Sequence, residues 1–165
     1  MRIILDGVDG AGKTTLAKIL AYKYGLDICH CTQHDGKDYA FYRQTVRKDS
    51  VVWDRHSIGE LIYPHVFNRQ MELSPEDARL IMDYAKEAGT KIFILTCDHE
   101  VLKKRLLVRG TEDDRIIENC EYIDSMFKHY AKLFYLPIID TRELTLSQIF
   151  EMVEAQEKPY KFIHA

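Results

Sequence analysis

The segment from Gly7 to Thr14 constrains the fold of this chain more than any other, because it fits the phosphate-binding pattern G-x-x-x-x-G-K-[ST]. The apolar run Ile3-Ile4-Leu5 precedes it, and apolar residues at helical spacing, Leu16, Ile19 and Leu20, follow it. The motif therefore lies where a buried strand passes into an amphipathic helix, which is the context that phosphate binding requires. We call residues 7–14 the phosphate loop.

Each position of the phosphate loop has a predicted role. Glycine allows backbone conformations that a Cβ would forbid, so several N–H groups can turn toward phosphates at the N-terminus of the helix. Lys13 is expected to neutralise the β- and γ-phosphates of ATP, and the Thr14 hydroxyl to ligate Mg²⁺. The alternative is a structural turn with a chance lysine. The predicted ATP-binding residues are Gly7, Gly10, Ala11, Gly12, Lys13, Thr14 and Thr15.

Apolar strand-like runs alternate with helical segments along the whole chain. After the first strand, further runs begin near Leu26, Val51, Lys91 and Pro137. This alternation predicts an α/β fold with three layers, in which helices cover both faces of a five-stranded parallel sheet. At this length we expect a single domain, residues 1–165.

Local patterns predict where several helices begin and end. Ser74 followed by Pro75 is typical of an N-cap and a first helical position, and Gly89 of the residue after a helix. Pro64 is expected to end or kink the helical segment before it. The charged stretch from Thr111 to Asn119 has no apolar periodicity, so no regular structure is predicted there.

The composition argues against several classes of protein and partner. The 46% hydrophobic content argues against disorder, and the net charge of -3 gives no electrostatic reason to expect nucleic acid or an anionic membrane. The first strand begins at residue 2, which leaves no room for a signal peptide. No apolar run approaches the roughly 18 residues of a membrane span. A cytoplasmic location is predicted.

The four cysteines are few for this length and three lie in or beside apolar segments, which indicates reduced thiols. Cys29, His30, Cys31 and His34 also permit a zinc hypothesis. No second pair of ligands follows at finger-like spacing, so core thiols are the favoured interpretation.

Asp54 and Arg55 come directly after the apolar run Val51-Val52-Trp53, as expected at the carboxyl end of a buried parallel strand. Phosphoryl transfer requires positive charge around the migrating group and usually a carboxylate that orients an acceptor or a metal ion. The pair supplies both groups, although an ordinary salt bridge is an equally open interpretation.

Arg105, Arg109 and Arg115 form a series around the end of a predicted helix at Gly110. Arg105 and Arg109 are four residues apart and share a helix face. A basic lid over residues 105–119 would exclude water and supply charge to a transition state. The alternative is a solvated helix end that the helix dipole favours.

Three blocks, in this order and spacing, resemble the thymidylate kinase family of P-loop nucleoside monophosphate kinases. They are Gly7 to Thr15, Val51 to Ser57, and Leu102 to Gly110 with Asp114-Arg115-Ile116. The resemblance spans nearly the whole chain and implies the P-loop kinase fold. It also implies Mg²⁺-dependent transfer of the ATP γ-phosphoryl group to a deoxynucleoside 5′-monophosphate, namely dTMP or a related deoxypyrimidine monophosphate.

The resemblance also implies roles for individual residues. Asp9 would lie near the acceptor sugar, Arg55 would hold the acceptor phosphate, and Asp54 would serve the metal and the acceptor. In this family the catalytic arginine comes from the phosphate loop or from the lid. Because Gly10 occupies the loop position here, the three lid arginines would have to supply it.

The chain departs from the family after the second strand. His30 to His34 replaces a Thr-Arg-Glu-Pro-like segment, and the helix that reads the base is shortened. Tyr39 and Arg43 keep an aromatic-x-x-x-arginine spacing that would give a stacking face and a hydrogen-bonding fork for the base. A surface aromatic beside a surface arginine is the alternative. The chain resembles the compact kinases of phages and prophages as much as the cellular enzymes, and a monomer and a homodimer both stay open.

Two other functions are compatible with the same residues. A deoxynucleoside kinase would share the fold but phosphorylate a 5′-hydroxyl, with Asp54 as the base. A P-loop switch module would hydrolyse slowly and signal by conformation, although the sequence has no Asn-Lys-x-Asp guanine-reading motif.

Overall fold

The computed structural model describes residues 1–31, 38–110 and 113–155. Its centre is a five-stranded parallel sheet in the order β2-β3-β1-β4-β5. Ile3, Ile4 and Leu5 are all fully buried, although successive strand residues point to opposite faces, so both faces of the sheet are covered. The α/β fold expected from the sequence is confirmed. The strands are β1 Arg2–Gly7, β2 Asp27–His30, β3 Val51–Asp54, β4 Lys91–Thr96 and β5 Ile138–Asp140.

Different helices pack against different strands of the sheet. Helix α1 contacts β1, β2 and β3, whereas α4 and α7 contact β4. A 3₁₀ helix, Ser57–Leu61, follows β3. None of the helices in the described ranges is long and apolar enough to cross a membrane. The α-helices are α1 Lys13–Tyr24, α2 Tyr39–Thr45, α3 Tyr63–Phe67, α4 Pro75–Glu87, α5 His99–Arg109, α6 Asp114–Glu118, α7 Cys120–Leu133 and α8 Leu146–Ala155.

Helix α4 begins as its sequence predicts. The Ser74 hydroxyl accepts a hydrogen bond from the Asp77 backbone N–H, and the Asp77 carboxylate accepts one from the Ser74 N–H. This reciprocal pair satisfies two N–H groups that the helix leaves without partners. Pro75 has no backbone N–H and so needs no acceptor. The buried face of α4 consists of Ala78, Ile81, Met82, Ala85 and Lys86.

One local prediction is confirmed and one is wrong. The helical segment before Pro64 ends at Leu61, and Pro64 occupies the first turn of a new helix, α3, where its missing N–H breaks no intrahelical bond. Helix α6 forms inside the stretch expected to be irregular, with the Asp113 side chain capping the N–H of Arg115. Since α6 has no buried residue, it carries no apolar period that a sequence pattern could reveal.

The carboxyl ends of the strands bring the chemically important residues to one edge of the sheet. The connection after β1 runs to β2 on one side, and the connection after the neighbouring strand β3 runs to β4 on the other, so the carboxyl ends of β1 and β3 form the switch point where α/β folds bind ligands. Gly7 lies there with φ 138°, and a Cβ at this position would come within 2.2 Å of the Leu95 carbonyl oxygen. Glycine is therefore required where the phosphate loop leaves the sheet.

Candidate active site

The phosphate loop folds back on its own lysine. Lys13 is the first residue of α1, and its Nζ donates to the carbonyl oxygens of Gly7 at 2.7 Å and Val8 at 2.8 Å. Burial lowers the pKa of Lys13, and the nearby Asp9 carboxylate opposes that shift. The ammonium group is thus held beneath the loop by weak carbonyl partners that a phosphate can replace.

Thr14 and Asp54 meet across the base of the site. The Thr14 hydroxyl donates to Asp54 Oδ2 at 2.5 Å, and His30 Nδ1 lies 3.2 Å from the same oxygen. Asp54 Oδ1 is buried and has no hydrogen-bond partner among the described residues. A hydroxyl and a carboxylate with an unused oxygen suit Mg²⁺, which prefers oxygen ligands and keeps several waters. The pair therefore fits the predicted metal ion.

Arg55 is fixed beside the phosphate loop by Asp9. Its guanidinium Nη2 donates to Asp9 Oδ1, and the Tyr63 hydroxyl donates to Asp9 Oδ2 at 2.8 Å. Burial favours the neutral carboxyl, but Lys13 and Arg55 outweigh it and hold the pKa of Asp9 below its ordinary value. Arg55 also has φ 77°, a left-handed conformation rare for a side chain of this size and frequent at functional sites.

Asp6 is a site residue that the sequence analysis missed. Its buried carboxylate accepts hydrogen bonds from the backbone N–H groups of Gly7 at 3.1 Å and Ile58 at 3.1 Å. Burial raises the pKa of Asp6 from 3.8 to about 7. The carboxylate therefore joins the start of the phosphate loop to the 3₁₀ helix that follows Arg55. Tyr63 was missed as well, and nothing in the local sequence signals either contact.

The structure brings two of the three lid arginines to the phosphate loop. Arg105 and Arg109 line the same cleft as Lys13, and Arg105 Nη1 donates to the Gly10 carbonyl oxygen at 3.0 Å. Arg115 lies elsewhere. Its guanidinium donates two hydrogen bonds to Asp113 and lies 4.9 Å from the centre of the Phe67 ring. In this conformation Arg115 thus fastens α6 to α3, and it does not join the other two.

The cleft has a volume of about 550 Å³, and its lining residues fall into two chemically different groups. The charged and polar group, which we call the charged end, comes from the phosphate loop with Thr15, Arg55, Arg105 and Arg109. The other group, which we call the apolar end, consists of Leu16, Ile19, Thr141, Leu144, Leu146 and Ile149. A cleft of this kind suits a nucleotide, with phosphates at the charged end and a base at the apolar end.

Tyr39 and Arg43 do not line this cleft. Arg43 is exposed, and its guanidinium lies 5.4 Å from the centre of the Tyr84 ring on α4. Their role in reading a base stays a prediction, but the ring that Arg43 contacts here is Tyr84.

The described part of the zinc candidate consists of Cys29, His30 and Cys31. Cys29 Sγ accepts a hydrogen bond from Lys48 at 3.0 Å, His30 faces Asp54, and Cys31 is buried. His34 lies outside the described residues. Within residues 1–31, 38–110 and 113–155, no three His, Cys, Asp or Glu side chains are grouped to hold a metal ion.

A family model described as an AAA domain matches residues 3–124, a span that contains the phosphate loop, Asp54, Arg55 and the lid arginines. The chain belongs to this family. YorR, a protein derived from the SPbeta prophage of Bacillus subtilis, is 31% identical over 79% of this chain and 80% of its own length. A crystal structure of YorR in complex with phosphorylated GDP superposes with a TM-score of 0.78, at 25% identity, over 94% of this chain and 97% of YorR.

Relatives of this AAA domain bear the names of nucleotide kinases. Cytidylate kinase 2 of Borreliella afzelii is 26% identical over 93% of this chain and 94% of its own length. A protein of Methanocaldococcus jannaschii named "Putative adenylate kinase" is 27% identical over 73% of this chain, which spans 66% of that relative. The expected membership of the P-loop kinases is confirmed. The narrower resemblance to thymidylate kinases is not supported by these names.

Proposed function

We propose that this protein transfers the γ-phosphoryl group of ATP to a deoxynucleoside 5′-monophosphate, with dTMP or a related deoxypyrimidine monophosphate as the acceptor. The observation that carries the proposal is the position of Arg55, whose guanidinium is fixed by Asp9 at the charged end of the cleft. A second phosphate brings about two negative charges next to those of the donor, and their repulsion requires a fixed cation on the acceptor side.

Each group of residues in the cleft has a separate role in the proposed phosphoryl transfer. Lys13 and the N-terminus of α1 bind the donor phosphates, and Arg105 and Arg109, which line the same cleft, add positive charge. Arg55 orients the acceptor phosphate through its planar fork, while Asp9 and Tyr63 fix the guanidinium and face the acceptor. Mg²⁺, held by Thr14 and Asp54, would neutralise charge on the ATP phosphates.

The relatives support a nucleotide acceptor without naming dTMP. A cytidylate kinase acts on a pyrimidine nucleotide, and the YorR structure holds a phosphorylated guanine nucleotide. A deoxypyrimidine monophosphate is therefore proposed from the resemblance of the chain, with Tyr39 and Arg43 as the groups that would contact its base. We further propose that the protein acts as one domain with residues 105–119 as the lid, in the cytoplasm.

The test compares acceptors that differ only in the phosphate. ADP formation is measured with ATP, Mg²⁺ and dTMP, dCMP, thymidine or deoxycytidine at equal concentrations, for the wild type and for Arg55→Lys. A monophosphate should stimulate ADP formation and its nucleoside should not. Because lysine keeps the charge but loses the bidentate fork, Arg55→Lys should lower kcat/KM for the acceptor by about tenfold or more.

Arg47→Lys is the matched control, since Arg47 is exposed and its Nε contacts the Tyr84 hydroxyl at 3.3 Å, outside the cleft. It should leave turnover unchanged. Faster phosphorylation of the nucleoside would contradict the proposal and make Asp54, with its unused Oδ1, the base for a 5′-hydroxyl. Stimulation by neither acceptor would favour the switch module.

A further inference from the structure

The apolar end of the cleft carries little that can distinguish one base from another. Five of its six lining side chains are aliphatic and come from α1, from Leu144 and from α8, and the sixth is Thr141. The Thr141 hydroxyl donates to the Thr96 carbonyl oxygen at 3.4 Å, so its hydrogen is already used within the protein. Among the described residues that line this end, none has a carboxylate or an amide side chain.

The backbone of the segment 141–145, which borders the apolar end, has no N–H left to donate to a base. All five N–H groups bond within the protein: Thr141 to Thr96 O, Arg142 to Asp140 Oδ1, Glu143 and Leu144 to Asp140 O, and Thr145 to Gln148 Oε1. Three of these bonds end on Asp140, the last residue of β5. This turn can therefore offer only carbonyl acceptors, and both purines have N–H groups that such acceptors can bind.

The two arginines that line the cleft do not read a base either. Arg105 is engaged with the Gly10 carbonyl oxygen, and Arg109 belongs to the charged end, where the phosphates would bind. Adenine and guanine differ at O6, N1 and the amino groups, which only a properly placed donor or acceptor pair can read. A site that lacks such a pair discriminates weakly, whereas a site that hydrogen-bonds a distinguishing group can reach about 10⁴-fold.

We propose that the apolar end accepts guanine as well as adenine, so that GTP and ATP are both phosphoryl donors. The proposal rests on the proposed function and names its donor class as purine nucleoside triphosphates. With GTP, the bond between the γ-phosphorus and the β–γ bridging oxygen breaks, and a bond forms from the same phosphorus to an acceptor phosphate oxygen. The products are GDP and a deoxynucleoside diphosphate.

The experiment measures binding of ADP and of GDP to the whole protein by titration calorimetry with Mg²⁺ and without an acceptor. The two dissociation constants should agree within about tenfold. Turnover is then measured with ATP and GTP mixed in equal amounts, and ADP and GDP should form at comparable rates. A preference of about 10²-fold or more for either base would overturn the proposal.

Two leucine variants test whether the base lies at the apolar end. Leu146 lines this end and is 47% exposed, so Leu146→Ala leaves little cavity in the core. It should weaken ADP and GDP binding by the same factor, several-fold in each case. Leu107→Ala, at a 65% exposed position of α5 outside the cleft, is the control and should change neither.

The outcomes separate this proposal from the proposed function. If Leu146→Ala weakens the binding of only one of the two diphosphates, or of neither, the apolar end does not hold both bases alike. The proposal is then wrong. If both diphosphates bind equally in the wild type but no acceptor is phosphorylated, the proposed function fails while the unselective purine site stands. If neither diphosphate binds, both fail.

Discussion

His56 should contribute a loss of stability in mild acid that a variant without this histidine does not show. Its ring is buried, with Nε2 2.8 Å from the Thr45 hydroxyl oxygen and Nδ1 3.3 Å from that of Ser57. The rings of Tyr42 and Trp53 lie against it at 4.9 and 5.9 Å between centres. These neighbours supply no negative charge, so burial lowers the pKa of His56 from 6.5 to about 3.

The size of the effect follows from linkage between proton binding and folding. The native state keeps His56 neutral, whereas the unfolded chain takes up a proton below its ordinary pKa of 6.5. The stabilising contribution is therefore present above pH 6.5 and is lost as the pH falls toward 3. Each pH unit in this window lowers the free energy of unfolding by about 1.4 kcal/mol, which gives about 2 kcal/mol by about pH 5.

Urea unfolding of the wild type and of a variant without His56, at about pH 7 and about pH 5, measures this contribution as a difference from which the opposite effect of Asp6 cancels. Trp53 is the one tryptophan of the chain and lies beside His56, so its fluorescence reports the transition, and far-ultraviolet circular dichroism provides a second probe. His56→Gln keeps a side chain that hydrogen-bonds but does not titrate. Its free energy of unfolding should fall by about 2 kcal/mol less than that of the wild type between the two pH values.

His65→Gln is the matched control, because His65 is exposed on α3. It should keep the pH dependence of the wild type. If the wild type and His56→Gln lose the same free energy of unfolding between the two pH values, the neutral buried state of His56 is refuted.

Two further predictions concern the site itself. The pH dependence that Asp6 contributes to stability has the opposite sign to that of His56. Because the pKa of Asp6 is raised, the free energy of unfolding falls as the pH rises from 3.8 to about 7. Asp6→Asn should remove this slope in the same urea titration. Arg109→Ala should lower kcat by about 10²-fold while calorimetry shows little change in ADP binding, since the guanidinium acts on the transition state. Arg115→Ala should lower kcat less, because Arg115 is held by Asp113 and Phe67; the reverse order would contradict this arrangement.

The sequence predicted the features whose signals are local. Helix α4 was identified because Ser74, Pro75 and the apolar period lie within a few residues of one another, and the phosphate loop because its spacing is fixed. Arg105 and Arg109 were grouped because one helical turn separates them, and both line the cleft.

The contacts that the sequence did not reveal join distant parts of the chain. Tyr63 and Asp9 are 54 residues apart, and Asp6 and Ile58 are 52 apart, so no periodicity or cap connects them. Arg115 shows the converse. Its partner Asp113 is only two residues away, yet the sequence analysis grouped Arg115 with the other lid arginines and not with this carboxylate.

The strand order has a consequence for how such a chain can diversify. β1 lies between two groups of strands, and the order is β2-β3-β1-β4-β5. The proposed acceptor residues Arg55 and Tyr63 come from the half of the sequence before α4 ends, whereas the wall around Thr141 comes from the half after β4 begins. Leu16 and Ile19 of α1, which also belong to the apolar end, stay in the first half with the phosphate loop. A recombination point in the turn 88–90, between α4 and β4, would replace the wall around Thr141 and keep the acceptor residues. This part of the donor side can then change in evolution while the acceptor side is kept.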